Sequence, residues 1–251
     1  MKKIIVPWTI LFLLALLTHI PASKAQARTL QFFANGEELI TEGFLAPKLT
    51  KDGWKLTFSH AFVSLSNITA YQADSPYDAR SGQPVKAKEK VMLEGIYVID
   101  LAAGAEDDPP VFVGEVKNAP TGHYNAISWK MARDKQGLLA GYTMLLTGVA
   151  EKDGTKVDFQ IRTAEESTYT CGEFVGDERK GFLQAGGMAD LEMTFHFDHI
   201  FGRADKDADD PMNLEAVGFE PFAHGSKVHE ITLKGMHIGH AGEGHCSVMW
   251  H

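Results

Sequence analysis

The chain has 251 residues, a formal net charge of −9 and two cysteines, so it is long enough for one large domain or two small ones. A strongly acidic chain is a poor partner for nucleic acid or anionic lipid and a reasonable partner for cations. We therefore predict no nucleic-acid partner and favour a function that involves cations.

Residues 1–27 have the pattern of a Sec-type signal peptide. Two lysines precede an almost wholly apolar stretch at residues 4–17, and residues 25–27 fit the small-x-small cleavage rule. The apolar stretch is short for a membrane span, which favours cleavage over the alternative of an uncleaved membrane anchor. Cleavage would leave residues 28–251 with no membrane span and a net charge of −12, in the periplasm or outside the cell.

Short runs of alternating apolar and polar residues, separated by turn formers, predict β-strands along residues 28–251. The runs lie at residues 30–34, 54–62, 91–101, 111–116, 120–129, 142–150, 155–162, 169–174, 189–201, 229–238 and 247–250. Asp153 and Gly154 predict a hairpin turn within a loop at residues 151–154 that is longer than two residues, and Asp210 followed by Pro211 predicts a helix start. We predict an all-β fold, a single immunoglobulin- or prealbumin-like β-sandwich with long loops and at most one short helix.

Two histidines in the early strands are candidate ligands. His60 alternates onto the same face as Leu56 and Phe58, so it could point into a site within the sandwich. A core-edge histidine with a hydrogen-bond partner is the favoured alternative. His123 stands at the mouth of the strand in residues 120–129, where a solvated turn histidine is the alternative.

The strongest chemical signal is the segment MTFHFDHIFG at residues 193–202, which places two histidines and a carboxylate in a β-prone run. In a regular strand His196 and Asp198 share one face and His199 points to the other. All three could bind one ion only if the strand bulged or ended near His199. We therefore expect ligands from elsewhere in the chain to complete any site.

A second histidine segment, HIGHAGEGHC, lies at residues 237–246. Its glycines allow a tight turn that could bring His237, His240 and His245 together. Eight of the eleven histidines lie at or after His196, and this enrichment favours a metal site over scattered surface histidines, which remain the alternative. Imidazole suits copper, zinc, nickel or iron, and we predict copper or zinc.

The two cysteines, Cys171 and Cys246, predict one disulfide, because an isolated pair in an exported protein is usually bridged. Such a bridge would tie the last strand to the middle of the domain. The alternative is that Cys246, beside His245, is a thiolate ligand of the metal.

Acidic residues at alternate positions, Asp205, Asp207 and Asp209, resemble the start of an EF-hand loop. The glycine and the glutamate that such a loop needs are replaced by Asp210 and Ala216. A calcium loop of another type stays open, and a solvated acidic loop is the favoured alternative.

The turn and strand PTGHYNAISW at residues 120–129 resembles exported bacterial β-sandwich domains, including the methanobactin-associated periplasmic copper-binding protein family and related uncharacterised domains. The order of the strands at residues 54–71 and 91–101, and the segment at residues 195–201, are similar as well. The resemblance implies a periplasmic or secreted sandwich that binds copper through histidine. His60 and His123 are positions where the early strands could supply a ligand.

Three functions are consistent with these features. The leading hypothesis is an exported transition-metal-binding protein that uses His196, His199, His237, His240 and His245, with Asp198 as ligand or orienting group. The second is a non-catalytic binding or adhesion module with incidental histidines. The third is a metal-dependent enzyme with an open coordination position and a base such as Glu243. We favour a non-enzymatic role, and no protein partner is indicated.

Overall fold

The computed structural model describes residues 28–104, 110–172, 180–242 and 244–251. The signal-peptide prediction and Glu243 lie outside these ranges. The strands and α-helices of the described residues are, in order, β1 Thr29–Asn35, α1 Glu37–Thr41, β2 Lys55–Ala73, β3 Ala87–Asp100, β4 Val111–Lys117, β5 Gly122–His123, β6 Ala126–Met131, β7 Met144–Lys152, β8 Thr155–Thr163, β9 Ser167–Cys171, β10 Phe182–Leu183, β11 Met188–Phe195, α2 Asp198–Phe201, α3 Pro211–Glu215, β12 Val228–Glu230, β13 Gly239–Ala241 and β14 Gly244–Trp250.

Strand β14 joins two groups of strands. On one side it pairs with β13, which continues through β11 and β1 to β4; on the other it pairs with β9, which continues through β6, β2, β7 and β8 to β12. Strand β3 pairs with β2, and β5 forms a separate two-stranded sheet with β10. The predicted all-β, sandwich-like fold is confirmed. The junction between the two groups is where the histidine-rich segments meet.

The predicted helix is present as α3. The Asp210 side chain accepts a hydrogen bond from Met212 N at 2.9 Å, and Pro211 occupies the first turn. Two further one-turn helices, α1 and α2, are too short for a helical periodicity to predict them, and α2 lies within the first histidine segment. No helix in the described ranges is long and apolar enough to cross a membrane.

Two predicted strands end earlier than their alternation suggests. Strand β11 stops at Phe195 instead of residue 201, and residues 229–238 yield only the end of β12, a turn and the approach to β13. In the second case Leu233 is buried, its N–H donates to Glu165 at 2.7 Å, and Gly235 takes a φ of 91°. The Glu165 carboxylate thus accepts the hydrogen bond that a neighbouring strand would otherwise accept, and the alternating residues form a turn.

The predicted hairpin between β7 and β8 is confirmed, with Lys152 opposite Thr155. The connection is shorter than the predicted loop of residues 151–154: it is a two-residue turn in which Asp153 and Gly154 have φ of 49° and 80°. Positive φ at both positions matches the twist of the flanking strands, which explains why Asp-Gly serves here.

The predicted disulfide is confirmed. Cys171 in β9 and Cys246 in β14 lie directly opposite each other in the antiparallel register, with Cα atoms 4.2 Å apart. Because the sulfur of Cys246 is bonded to Cys171, the thiolate-ligand alternative is wrong. The bridge fastens β14, the strand that joins the two groups, to β9.

Aromatic side chains anchor helix α2 in the core. The fully buried ring of Phe201 makes an edge contact with Phe44 at 5.5 Å and lies 6.3 Å from Phe219, ring centre to ring centre. Phe197 and Ile200 are fully buried as well. With its apolar residues held inward, α2 leaves His199 near the surface beside the end of β11.

Candidate metal centre

His196 and His199 come together because β11 ends at Phe195, just before them, and helix α2 begins at Asp198, between them. The N–H of His199 donates to the His196 carbonyl at 3.3 Å. Gly202, which has a φ of 65°, ends the helical turn, and its N–H donates to the Asp198 carbonyl at 2.7 Å. Positions three apart in a helical turn face the same way, whereas in a strand they face opposite ways. The predicted strand through residue 201 is therefore wrong, and its early end puts both imidazoles on one side.

His240 reaches the same place from β13. That strand pairs antiparallel with β11, with His240 opposite Thr194, and Ile238 O accepts from His196 N at 2.8 Å. Nε2 of His240 donates to the carbonyl oxygen of His237 at 2.8 Å. A carbonyl can only accept, so Nε2 carries the proton and Nδ1 of the neutral ring keeps its lone pair.

The three imidazoles form a compact cluster. The rings of His196 and His240 stack with centres 4.2 Å apart, and His199 lies 5.3 Å from His240. One nitrogen of each ring lies within 4.8 Å of one nitrogen of both others. Imidazole nitrogens bind transition metals at about 2.0–2.1 Å, so these three residues could hold one ion after a small contraction.

The environment of His199 favours its neutral form. Burial lowers the pKa of His199, and the neighbouring Asp198 carboxylate acts in the opposite direction. Nδ1 of His199 is buried and has no hydrogen-bond partner among the described residues. A neutral, buried imidazole nitrogen of this kind is chemically suited to coordinate a metal.

The cluster lines a cleft of about 480 Å³. Carboxylates dominate its charged groups: Glu37, Glu38, Asp198 and Asp210 face two cationic side chains, Arg203 and Lys206. An excess of negative charge raises the local concentration of cations.

The remaining members of the two histidine segments have different positions. Asp198 lines the cleft, and its Oδ2 lies 4.0 Å from the Arg203 guanidinium. His237 is exposed and contributes its backbone carbonyl to His240. His245 stands opposite His240 in the β13–β14 pair, and its side chain lies outside the described part of the chain.

The two early candidates have other partners. A register shift between Phe58 and His60 turns His60 to the outer face, where Nδ1 lies 2.8 Å from Asp100 and the ring stacks on Phe62. His60 therefore has the hydrogen-bond partner that the favoured alternative predicts, although on the outer face, and the less favoured possibility, a ligand pointing into the sandwich, is wrong. His123 stacks on Phe182 with ring centres 3.8 Å apart. Within the described ranges, neither belongs to the histidine cluster.

The acidic loop does not form a converging set of ligands. Asp205 forms a two-point hydrogen bond with Arg203 at 2.9 and 2.5 Å, which holds the pKa of Asp205 below its usual range. Asp207 and Asp209 are exposed, and the three side chains form no ligand group among the described residues. The solvated-loop alternative describes this segment better than the calcium prediction.

The sequence patterns missed Glu37. Its Oε1 lies 3.4 Å from Nε2 of His196, and the two residues are 159 positions apart in the chain. The Asn35-Gly36 pair before it indicates only a turn. No local motif could have connected this carboxylate with the histidines.

No protein-family model and no curated protein sequence matches the chain. The solved structure of MbnP from Methylosinus trichosporium is similar with a TM-score of 0.36 and 10% identity, over 74% of this chain and 85% of that chain. This match agrees with the distant resemblance that the sequence indicates.

Proposed function

We propose that the protein is an exported metal-binding protein that holds one transition-metal ion, copper or zinc, through His196, His199 and His240. The observation that carries the proposal is the convergence of three imidazole nitrogens within 4.8 Å of one another. Two further features support the proposal. Burial favours the neutral form of His199, and the His237 carbonyl orients the His240 ring. The acidic cleft would attract the ion.

The other predicted ligands take lesser roles in this proposal. Asp198, with one buried oxygen that lacks a hydrogen-bond partner among the described residues, is assigned as an orienting group next to His199. His237 supports His240 through its backbone. His245 remains a predicted ligand because of its place opposite His240 in the hairpin.

Metal content of the purified protein tests the proposal. The full chain is expressed in an oxidising compartment, and copper, zinc and iron are measured by elemental analysis. We expect a stoichiometric amount of copper or zinc, which His199→Ala loses. The control His224→Ala, a largely exposed histidine paired with Glu220, should retain the metal. Absence of metal, with none taken up on addition, would contradict the proposal and favour the binding-module alternative.

Export is proposed on separate grounds. The disulfide between Cys171 and Cys246 suits an oxidising compartment, and residues 1–27 have the signal pattern. Cell fractionation and amino-terminal sequencing should find a mature chain that begins at Arg28 outside the cytoplasm. An intact amino terminus in the membrane fraction would support the uncleaved-anchor alternative.

A further inference from the structure

Glu37 stands beside the histidine cluster in a backbone conformation that residues with side chains seldom adopt. Its φ is 56°, in the left-handed region that favours glycine. Unfavourable backbone conformations persist only where surrounding structure imposes them, and they concentrate at functional sites. The position therefore calls for an explanation in terms of what its side chain does.

A network of polar side chains holds this conformation. Asn35 Oδ1 accepts from Glu37 N at 2.8 Å, and Asn35 Nδ2 donates to Glu192 Oε1 at 2.9 Å. The other oxygen of Glu192, which is buried in β11, accepts from Lys180. The chain of contacts connects the sheet to the backbone of Glu37.

Glu37 and His196 lie just beyond the ends of two paired strands. Strands β1 and β11 are parallel, with Asn35 opposite Thr194, and two further residues along each chain lead to Glu37 and His196. There Oε1 of Glu37 and Nε2 of His196 are 3.4 Å apart. Four ligands bound tetrahedrally at about 2.0–2.1 Å have neighbouring atoms about 3.4 Å apart. The observed separation thus suits two ligands of one ion.

We propose that Glu37 is the fourth protein ligand of the metal centre and that it makes the site selective for divalent ions. This inference rests on the proposed function. A carboxylate is a hard, anionic ligand that offsets part of the charge of a divalent ion held by neutral imidazoles, whereas monovalent copper favours soft ligands. The half-exposed side chain of Glu37 lines the cleft. It lies outside the set of three imidazole nitrogens that are within 4.8 Å of one another, so binding of the ion requires the carboxylate to turn toward His199 and His240.

Metal affinities of matched variants test the role of Glu37. Glu37→Gln removes the charge and keeps the shape, and the control Glu42→Gln does the same at an exposed carboxylate near the end of α1 that does not line the cleft. We expect Glu37→Gln to weaken Zn²⁺ binding by at least about tenfold, as loss of a group that contacts the ion should. Binding of Cu⁺ should change by less than about twofold, because the three imidazoles remain.

A second variant guards against a folding defect. Glu37→Gly removes the carboxylate and accepts the left-handed backbone, so the fold should persist while Zn²⁺ affinity falls. Circular dichroism should match that of the parent. In the Cu²⁺-loaded protein, the electron paramagnetic resonance spectrum should change in both Glu37 variants and remain unchanged in Glu42→Gln.

The outcomes separate this inference from the proposed function. If the parent binds metal and His199→Ala loses it while Glu37→Gln binds Zn²⁺ normally, the role of Glu37 is overturned and the proposed function stands. Equal weakening in Glu37→Gln and Glu42→Gln would reveal only a general charge effect and would also overturn the role of Glu37. A parent chain that binds no metal would contradict both.

Discussion

Gly239 packs so closely on Tyr169 that a β-carbon at this position would lie 2.5 Å from Cδ1 of the ring. Gly239 directly precedes His240 and lies opposite Phe195 in the β11–β13 pair. Because the Tyr169 ring is fully buried, the strand and not the ring would have to move. The absence of a side chain here therefore determines where His240 sits.

Gly239→Ala should destabilise the protein by about 1–3 kcal/mol through overpacking and weaken metal binding by displacing His240. Urea denaturation measures the first effect and metal titration the second. The matched control is Gly187→Ala, where the nearest atom to a new β-carbon is 3.5 Å away. A variant that binds metal as the parent does would contradict the role of this contact.

The hydrogen bond from His240 to the His237 carbonyl predicts one tautomer. In metal-free protein near neutral pH, His240 should carry its proton on Nε2. Nitrogen-15 NMR correlation spectra distinguish the two tautomers, and added zinc should shift the Nδ1 resonance. A proton found on Nδ1 would be incompatible with coordination through that atom in the present arrangement.

The lowered pKa of His199 predicts how the stability of metal-free protein depends on pH. Burial holds this pKa below the value near 6.5 of the unfolded chain, so below about pH 6.5 the unfolded state binds more protons. The free energy of unfolding should therefore fall as the pH drops below 6.5 and stay level above it. Urea denaturation between pH 8 and pH 5 should show a smaller fall for His199→Gln. An identical fall in both proteins would assign the effect to other groups.

Removal of the disulfide should lower the free energy of unfolding by about 4–5 kcal/mol, because the bridge closes a loop with a sequence separation of 75 residues. The double variant Cys171→Ala, Cys246→Ala avoids an unpaired thiol, and denaturant unfolding measures the loss. Metal affinity should fall as well, since β14 holds the strand that carries His240. Retention of full stability would mean that strand pairing alone fixes β14.

Local patterns predicted the strands and the hairpin correctly where each segment follows its own alternation. The Asp153-Gly154 turn and the strands on either side of it are of this kind. The same patterns failed at residues 196–201 and at His60. A helical turn buries Phe197, Ile200 and Phe201 together, and a register shift reverses the face of His60. Period-two alternation predicts neither the helical turn nor the register shift, because both depend on pairing with the neighbouring strand and on packing in the core.

The sequence by itself determined the acidic balance, the β-rich character, the disulfide pair and the enrichment of histidines after residue 195. These follow from composition and from the periodicity of single segments. Only the tertiary structure decided that His196, His199 and His240 converge and that Glu37 lies beside His196. The convergence depends on two strand registers, β11 with β13 and β1 with β11, between segments far apart in the chain. Registers of this kind result from packing of the whole domain, which no local pattern encodes.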